Sequence, residues 1–169
     1  SKVLTNKRSV GCKQLFLAPG RSGFRFLQKM MEKLDISYMD HIVDIGIRVE
    51  TTEDRYSIVR DYYDPKFIFP EKVRTFCTNS KSAYVVREKY SSDSSKTYYS
   101  VNGHAFSKKA KENGMCNFAL LKTVRLTEPL ASGQEYAEML GLEAMLLGGG
   151  KPIMQRIGDF RLGKRSKEE

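Results

Sequence analysis

Val43-Asp44-Ile45-Gly46-Ile47-Arg48-Val49 alternates apolar residues with polar or small ones at every step. A strict period of two puts Val43, Ile45, Ile47 and Val49 on one face of an extended chain and predicts a strand buried on one side. Five further short runs read as strands: Lys66 to Phe69, Val73 to Thr78, Ala83 to Glu88, Thr97 to Val101 and Asn117 to Val124. Turn formers separate them, among them Asp64-Pro65, Asn79-Ser80 and Asn102-Gly103. Short strands without long helices between them predict an antiparallel sheet or small barrel. Glu53 to Arg60 reads as a short helical turn, and Ser91-Ser92-Asp93-Ser94-Ser95 as a mobile loop tip.

Helical signals flank this region. After Pro129, Ser132 and Glu135 have the spacing of a capping box. Tyr136, Met139, Leu140, Glu143 and Leu147 then follow one helix face, and Gly148-Gly149-Gly150 ends it. Lys151 to Glu169 is a Gly-rich basic tail in which Pro152 to Ile157 reads as a short helix. On the other side, Lys13-Gln14-Leu15-Phe16-Leu17-Ala18 reads as a buried strand. It enters the turn Pro19-Gly20-Arg21-Ser22-Gly23, and Phe24, Leu27, Met31 and Leu34 predict an amphipathic helix from Gly23 to Leu34 with Ser22 as N-cap. One strand–turn–helix unit cannot make a sheet alone. The expected fold is α+β: a β-rich part over residues 41–128, a helical part with the basic tail over 129–169, and the strand–turn–helix flank over 1–40.

The 169 residues are 40% hydrophobic and 29% charged, ordinary values for a globular domain. No window approaches the roughly 18 apolar residues of a membrane helix, and the first eight residues lack the apolar core of a secretion signal. No membrane partner is expected. Three cysteines at wide spacings, two histidines and no Cys-x-x-Cys pair argue against a structural zinc site and point to reduced thiols in a cytoplasmic protein. The net charge of +9 favours an anionic partner: nucleic acid, a phosphate-bearing cofactor or an acidic surface. The densest cluster is Arg156, Arg161, Lys164, Arg165 and Lys167, diluted by Asp159, Glu168 and Glu169.

Gly20, Arg21, Ser22 and Gly23 lie where a strand-to-helix turn offers backbone N–H groups to a phosphate, although glycine also serves such turns for conformational reasons alone. No Walker pattern follows, and no Gly-x-Gly-x-x-Gly follows a strand. Arg74 would stabilise a Cys77 thiolate, but residues three apart on a strand face opposite sides, which favours an inert thiol. His104 is a candidate acid or base, or a hairpin histidine bonded to backbone; no third residue completes a triad. Tyr62, Tyr63, Tyr98 and Tyr99 among many Arg and Lys leave a second function open, a stand-alone basic nucleic-acid-binding module. Aromatic residues in short strands more often pair with one another.

Six segments taken in order carry a resemblance. They are Leu17 to Gly23, Val43 to Glu50, Val73 to Cys77, Val101 to His104, Asn117 to Leu121, and Leu147 to Gly150 with Gln155 to Asp159. Together, over about residues 13–165, they resemble the middle of the NAD(FAD)-utilizing dehydrogenase family of bacterial flavoproteins. The resemblance implies an internal piece of an FAD-dependent oxidoreductase: the inserted, substrate-side domain with a flank of the flavin domain. Ala18-Pro19-Gly20 is similar to a flavin-proximal element whose usual form is Ala-Thr-Gly, and Pro19 removes a backbone N–H there. Gly20, Arg21, Ser22 and Gly23 would then lie near FAD in the parent protein. Arg74, Cys77, Asn102, His104 and Asn117 match recurring residues and are the candidate catalytic set. FAD, with NAD(P) as a possible second coenzyme, belongs to the parent. The family's diphosphate-binding fingerprint lies outside these residues, so the piece alone is expected to hold no FAD and to be inactive. Its expected partners are the remainder of its own chain and, through the orphaned face of the Phe24–Leu34 helix, another copy. Nucleic acid is not expected.

Overall fold

The computed structural model describes residues 2–92, 96–106 and 111–167. It divides into two units, Ser1–Tyr38 and Met39–Glu169. The chain combines antiparallel sheets with helices, an α+β fold whose C-terminal part is helical.

In the first unit, β1 (Lys2–Leu4) and β2 (Ser9–Gly11) form a small antiparallel hairpin. A 3-10 turn over Arg21–Gly23 leads into α1 (Phe24–Lys33). The expected buried strand at Lys13–Ala18 is absent, and Leu15, Phe16 and Leu17 are exposed. An extended run with no neighbouring strand has no partners for its N–H and C=O groups, so nothing holds it in a ladder. Ser22 does not cap α1: it sits inside the 3-10 turn, and Gly23 takes the cap position without a side-chain bond.

In the second unit, β3 (Ile42–Thr52) and β4 (Val73–Asn79) flank β7 (Met115–Arg125) in a three-stranded antiparallel sheet. Arg48 lies opposite Ala119, and Glu50 opposite Asn117, which also pairs with Asn79 on the other side. Between Phe76 and Asn79 the register slips through a bulge where Cys77 has φ 50°. Ile47 does not share the cover of its alternating neighbours and is 64% exposed. Of the helical turn expected over Glu53 to Arg60, the first part is a non-helical turn and the end falls in α2 (Ile58–Asp61). Tyr56 packs against Phe118 in a tilted pair, 4.7 Å between ring centres, and lies 6.3 Å from Phe67.

Lys66 to Phe69 is not a strand. It carries one bridge, Ile68 to Arg74, and is tied to β4 through Thr75, whose Oγ1 accepts from Phe67 N at 2.8 Å. Pro65 and Pro70 bracket it and remove two donors a ladder would use. β5 (Ala83–Ser92) and β6 (Lys96–Ala105) form a long hairpin. Asn102-Gly103, expected as a turn, lies deep inside β6. Of the expected loop tip, Ser91 and Ser92 end β5, and residues 93–95 lie outside the described residues.

Ser132 caps α3 (Gly133–Leu147), its Oγ accepting from Glu135 N at 3.2 Å, as the capping-box spacing predicts. Asp40 adds to this end: its carboxylate accepts from Ser132 Oγ at 2.6 Å, and its carbonyl accepts from Gly133 N. Glycines 148 to 150 end the helix, with Gly149 and Gly150 at positive φ. The last helix, α4, is Ile157–Arg161 rather than 152–157; Pro152 and the residues after it are irregular. Helix α3 rests on β6, where a Cβ on Gly141 would come 2.7 Å from Tyr98 Cε2. Among the described residues no helix is long and apolar enough to cross a membrane.

Candidate functional site

The candidates separate into those that meet and those that do not. Arg48 is the centre. From β3 it reaches across β7 to three acceptors: Nη1 donates to Cys77 O at 2.8 Å and to Asn117 Oδ1 at 3.1 Å, and Nη2 donates to Asn102 Oδ1 at 2.9 Å. Asn79 Nδ2 donates to Cys77 O at 2.9 Å and to the same Asn117 Oδ1 at 3.3 Å. The bulge at Cys77 turns a carbonyl out of the ladder, which frees it to accept from Arg48. Asn117 is fully buried at the centre of the sheet, so its amide needs these side-chain partners.

Asn102 links two charges. It accepts from the Arg48 guanidinium and donates through Nδ2 to Glu88 Oε1 at 3.1 Å; Tyr90 Oη donates to Glu88 Oε2 at 2.9 Å. Each bond has an ionised group at one end, which roughly doubles its strength over a neutral pair. Gly103 is the contact point between β6 and the sheet: a Cβ there would be 2.6 Å from Arg48 Nη1 and closer still to Asn117 Oδ1 and Asn79 Nδ2. Two buried donors, Arg48 Nε and Asn117 Nδ2, have no hydrogen-bond partner among the described residues.

His104 stands at the rim. Its side chain is half exposed, with Nε2 3.6 Å from Glu88 Oε1. Another molecule can reach its imidazole. Arg74 is not in the cluster. It pairs with Asp44 at 2.6 Å and lies over the Phe76 ring, so it does not act on the Cys77 thiol. The Cys77 carbonyl, not its sulfur, is the group that binds Arg48.

Cys116, buried beside this network in β7, has its thiol pushed up to about 11, first by burial and then by the Glu53 carboxylate. At Asp64, burial raises the carboxyl, but hydrogen bonds from Lys66 and from the Thr78 N–H outweigh it and hold the group below its usual range. Of the four tyrosines weighed for nucleic-acid binding, Tyr98 stacks on Tyr90 at 5.2 Å and meets α3, Tyr99 lies under Arg87, and Tyr62 and Tyr63 are exposed.

Gly20, Arg21, Ser22 and Gly23 lie in the first unit, in the 3-10 turn ahead of α1. Gly20 has φ 70°, so its backbone is open to close approach. The run before it is unpaired and exposed, and Pro19 offers no N–H. These residues therefore do not fit FAD by themselves, since no sheet edge fixes the turn against a diphosphate. A groove of about 220 Å³ beside the start of α3, lined by Pro129, Leu130, Ser132, Glu135, Tyr136 and Met139, is also too small for a dinucleotide.

Sequence reasoning named Cys77, Asn102 and Asn117 but passed over Arg48, Asn79 and Glu88, which complete the network. The signal for Arg48 was its place in a strand with apolar residues on both sides. No family model, curated protein sequence or solved structure matches the chain.

Proposed function

We propose that this chain is the substrate-side insert domain of an FAD-dependent oxidoreductase, inactive apart from the rest of its protein. One observation carries the reading. Arg48, Cys77, Asn102 with Gly103, and Asn117 come from four different stretches of the flavoprotein resemblance, and they meet in one hydrogen-bonded network. Three of the matching residues, Cys77, Asn102 and Asn117, thus join with Arg48 in a single structural joint between the sheet and the β5–β6 hairpin, while Arg74 lies outside it. The small set of buried apolar residues among the described residues, Val59, Ala83, Cys116 and Ala119, also suits a domain that is completed by further protein.

In this reading the network positions and His104 acts. Asn117 is closed to any substrate, and Asn102 is held between Arg48 and Glu88. Their work is to fix the strand that presents His104 at the open edge of the hairpin. There its imidazole, beside the Glu88 carboxylate, is placed to exchange a proton with a substrate. FAD, when bound by the whole protein, supplies the electron transfer.

The reading is tested by the natural reading frame and by colour. An upstream strand, a Gly-x-Gly-x-x-Gly turn and a helix are expected, with flavin retained by the whole protein. This chain, mixed with FAD, is expected to leave gel filtration colourless. Stoichiometric flavin on residues 1–169, or a natural protein lacking that upstream turn, would sink the proposal.

A further inference from the structure

β3 and β4 are the two outer strands of the three-stranded sheet. The β4 edge is closed: Thr75 N donates to Phe67 O at 2.9 Å and Phe69 N to Val73 O at 2.7 Å, from a segment that Pro65 and Pro70 bracket. The β3 edge is open. Bonds at its two ends fix which groups point outward: Leu126 N donates to His41 O at 2.8 Å, and Glu53 N donates to Gly114 O at 2.9 Å. The register between them is unbroken, so odd-numbered residues bond to β7 and even-numbered ones turn their N–H and C=O groups away from it. The start of α3 covers one end of this outer row, where a Cβ on Gly133 would come 2.8 Å from Ile42 O. At the other end Thr52 O accepts from Arg55 N. Between them, no backbone partner reaches Asp44, Gly46, Arg48 or Glu50 on this side among the described residues.

The open stretch is complementary to itself. Read outward from Gly46, Ile45 matches Ile47, Asp44 matches Arg48 and Val43 matches Val49. Two antiparallel copies with their two-fold axis at Gly46 set apolar residues opposite apolar ones and Asp44 opposite Arg48. Ile45 then lies against Ile47 of the second copy, the side chain that its own chain leaves 64% exposed. Neighbouring registers are worse. An axis at Ile47 opposes Asp44 to Glu50, and one at Arg48 opposes that residue to itself, both pairing like charges. An axis at Ile45 sends Arg48 to the Ile42 carbonyl that α3 covers. Asp44 and Arg48 keep their bonds inside the chain, so backbone groups make the joint and the charges select the register.

Unpaired N–H and C=O groups along a strand are a template for another strand. We infer that β3 is a self-pairing edge: two copies of this chain join β3 to β3, antiparallel about Gly46, into one continuous sheet. Asp44 and Arg48 exchange backbone bonds across the axis, and the two Gly46 residues bond to each other. The inference is independent of the flavin. The net charge of +9 opposes the pairing, which therefore forms where salt screens that charge.

Hydrogen exchange of this chain in about 1 M sodium chloride, where the Debye length is about 3 Å, tests it. As protein concentration rises, the amides of Asp44, Gly46 and Arg48 are expected to slow on the order of tenfold, while those of Ile45 and Ile47, already bonded to β7, change little. Ile47→Lys should remove the slowing and, at an exposed position, leave the melting temperature unchanged. Disulfides in a Cys12→Ser background read the register. Positions 45 and 47 of the two copies form a non-hydrogen-bonded pair, whose Cα spacing suits a disulfide. An Ile45→Cys chain mixed with an Ile47→Cys chain is expected to cross-link on oxidation, and either chain alone is not. Cross-linking of Ile47→Cys alone moves the axis off Gly46 and overturns the inference. Slow even-numbered amides at every concentration would show the edge covered within one chain, and fast ones at every concentration would show it unpaired; each result overturns the inference.

Discussion

Replacing Gly103 by alanine puts a methyl group where Arg48 Nη1, Asn117 Oδ1 and Asn79 Nδ2 already stand. All three are hydrogen-bonded within the network, so none can withdraw without breaking one of those bonds. The expected loss in urea unfolding is about 3 kcal/mol, at the upper end for overpacking, because buried polar groups are also separated. An unchanged midpoint would mean that β6 does not meet the sheet there. The buried thiol next to this joint gives a pH signature. Cys116 ordinarily titrates at 9.0 and is pushed up to about 11 in the fold. The unfolded chain therefore releases this proton first. The contribution to stability is full below pH 9 and is lost as pH rises through 11, to a total of about 3 kcal/mol. Tyr56, raised by burial and then by Cys116, adds to the same alkaline loss. Unfolding at pH 8 and pH 10.5 should show the fall, and Cys116→Ala should make it shallower. At this scale Gly103 was misread. A glycine after asparagine signals a turn, and only the crossing of two remote strands reveals that the position needs an absent side chain instead.

Elements were legible where local rules settle them. The alternation of Val43 to Val49 marks β3, and the Ser132–Glu135 spacing marks the start of α3. Replacing Ser132 by alanine should cost about 1 kcal/mol, since it removes the acceptor for Glu135 N and a donor to Asp40. Asp40→Ala should cost a similar amount, and the pair together less than the sum, because both serve one helix end. Additive losses would mean that the two side chains act separately. Elements that depend on a neighbour were not legible. Leu15, Phe16 and Leu17 have a strand's composition but no strand beside them. Lys66 to Phe69 has β4 beside it, yet Pro65 and Pro70 leave it one bridge and a tie through Thr75. The site shows the same division. Arg74 and Cys77 are near in sequence, but strand parity sends Arg74 to Asp44, while Arg48, 29 residues from Cys77, is brought to its carbonyl by β7.

For the whole molecule, charge and apolar exposure act against each other. Net charge is +9, so copies repel, with a range set by a Debye length of about 10 Å at 0.1 M salt. Phe16, Met39, Ile68, Leu146 and Leu147 are all about four-fifths exposed or more, which favours association once repulsion is screened. The expected outcome in sedimentation velocity is a monomer at low salt and growing self-association as sodium sulfate is raised, since sulfate both screens charge and strengthens apolar burial. If ion pairs between copies were the cause, the order would reverse, and salt would dissolve the assembly. If the remainder of the parent protein covers these side chains, the full-length protein should stay dispersed at the same sulfate concentration. A full-length protein that associates as readily as this chain would show that its other parts leave this apolar surface open.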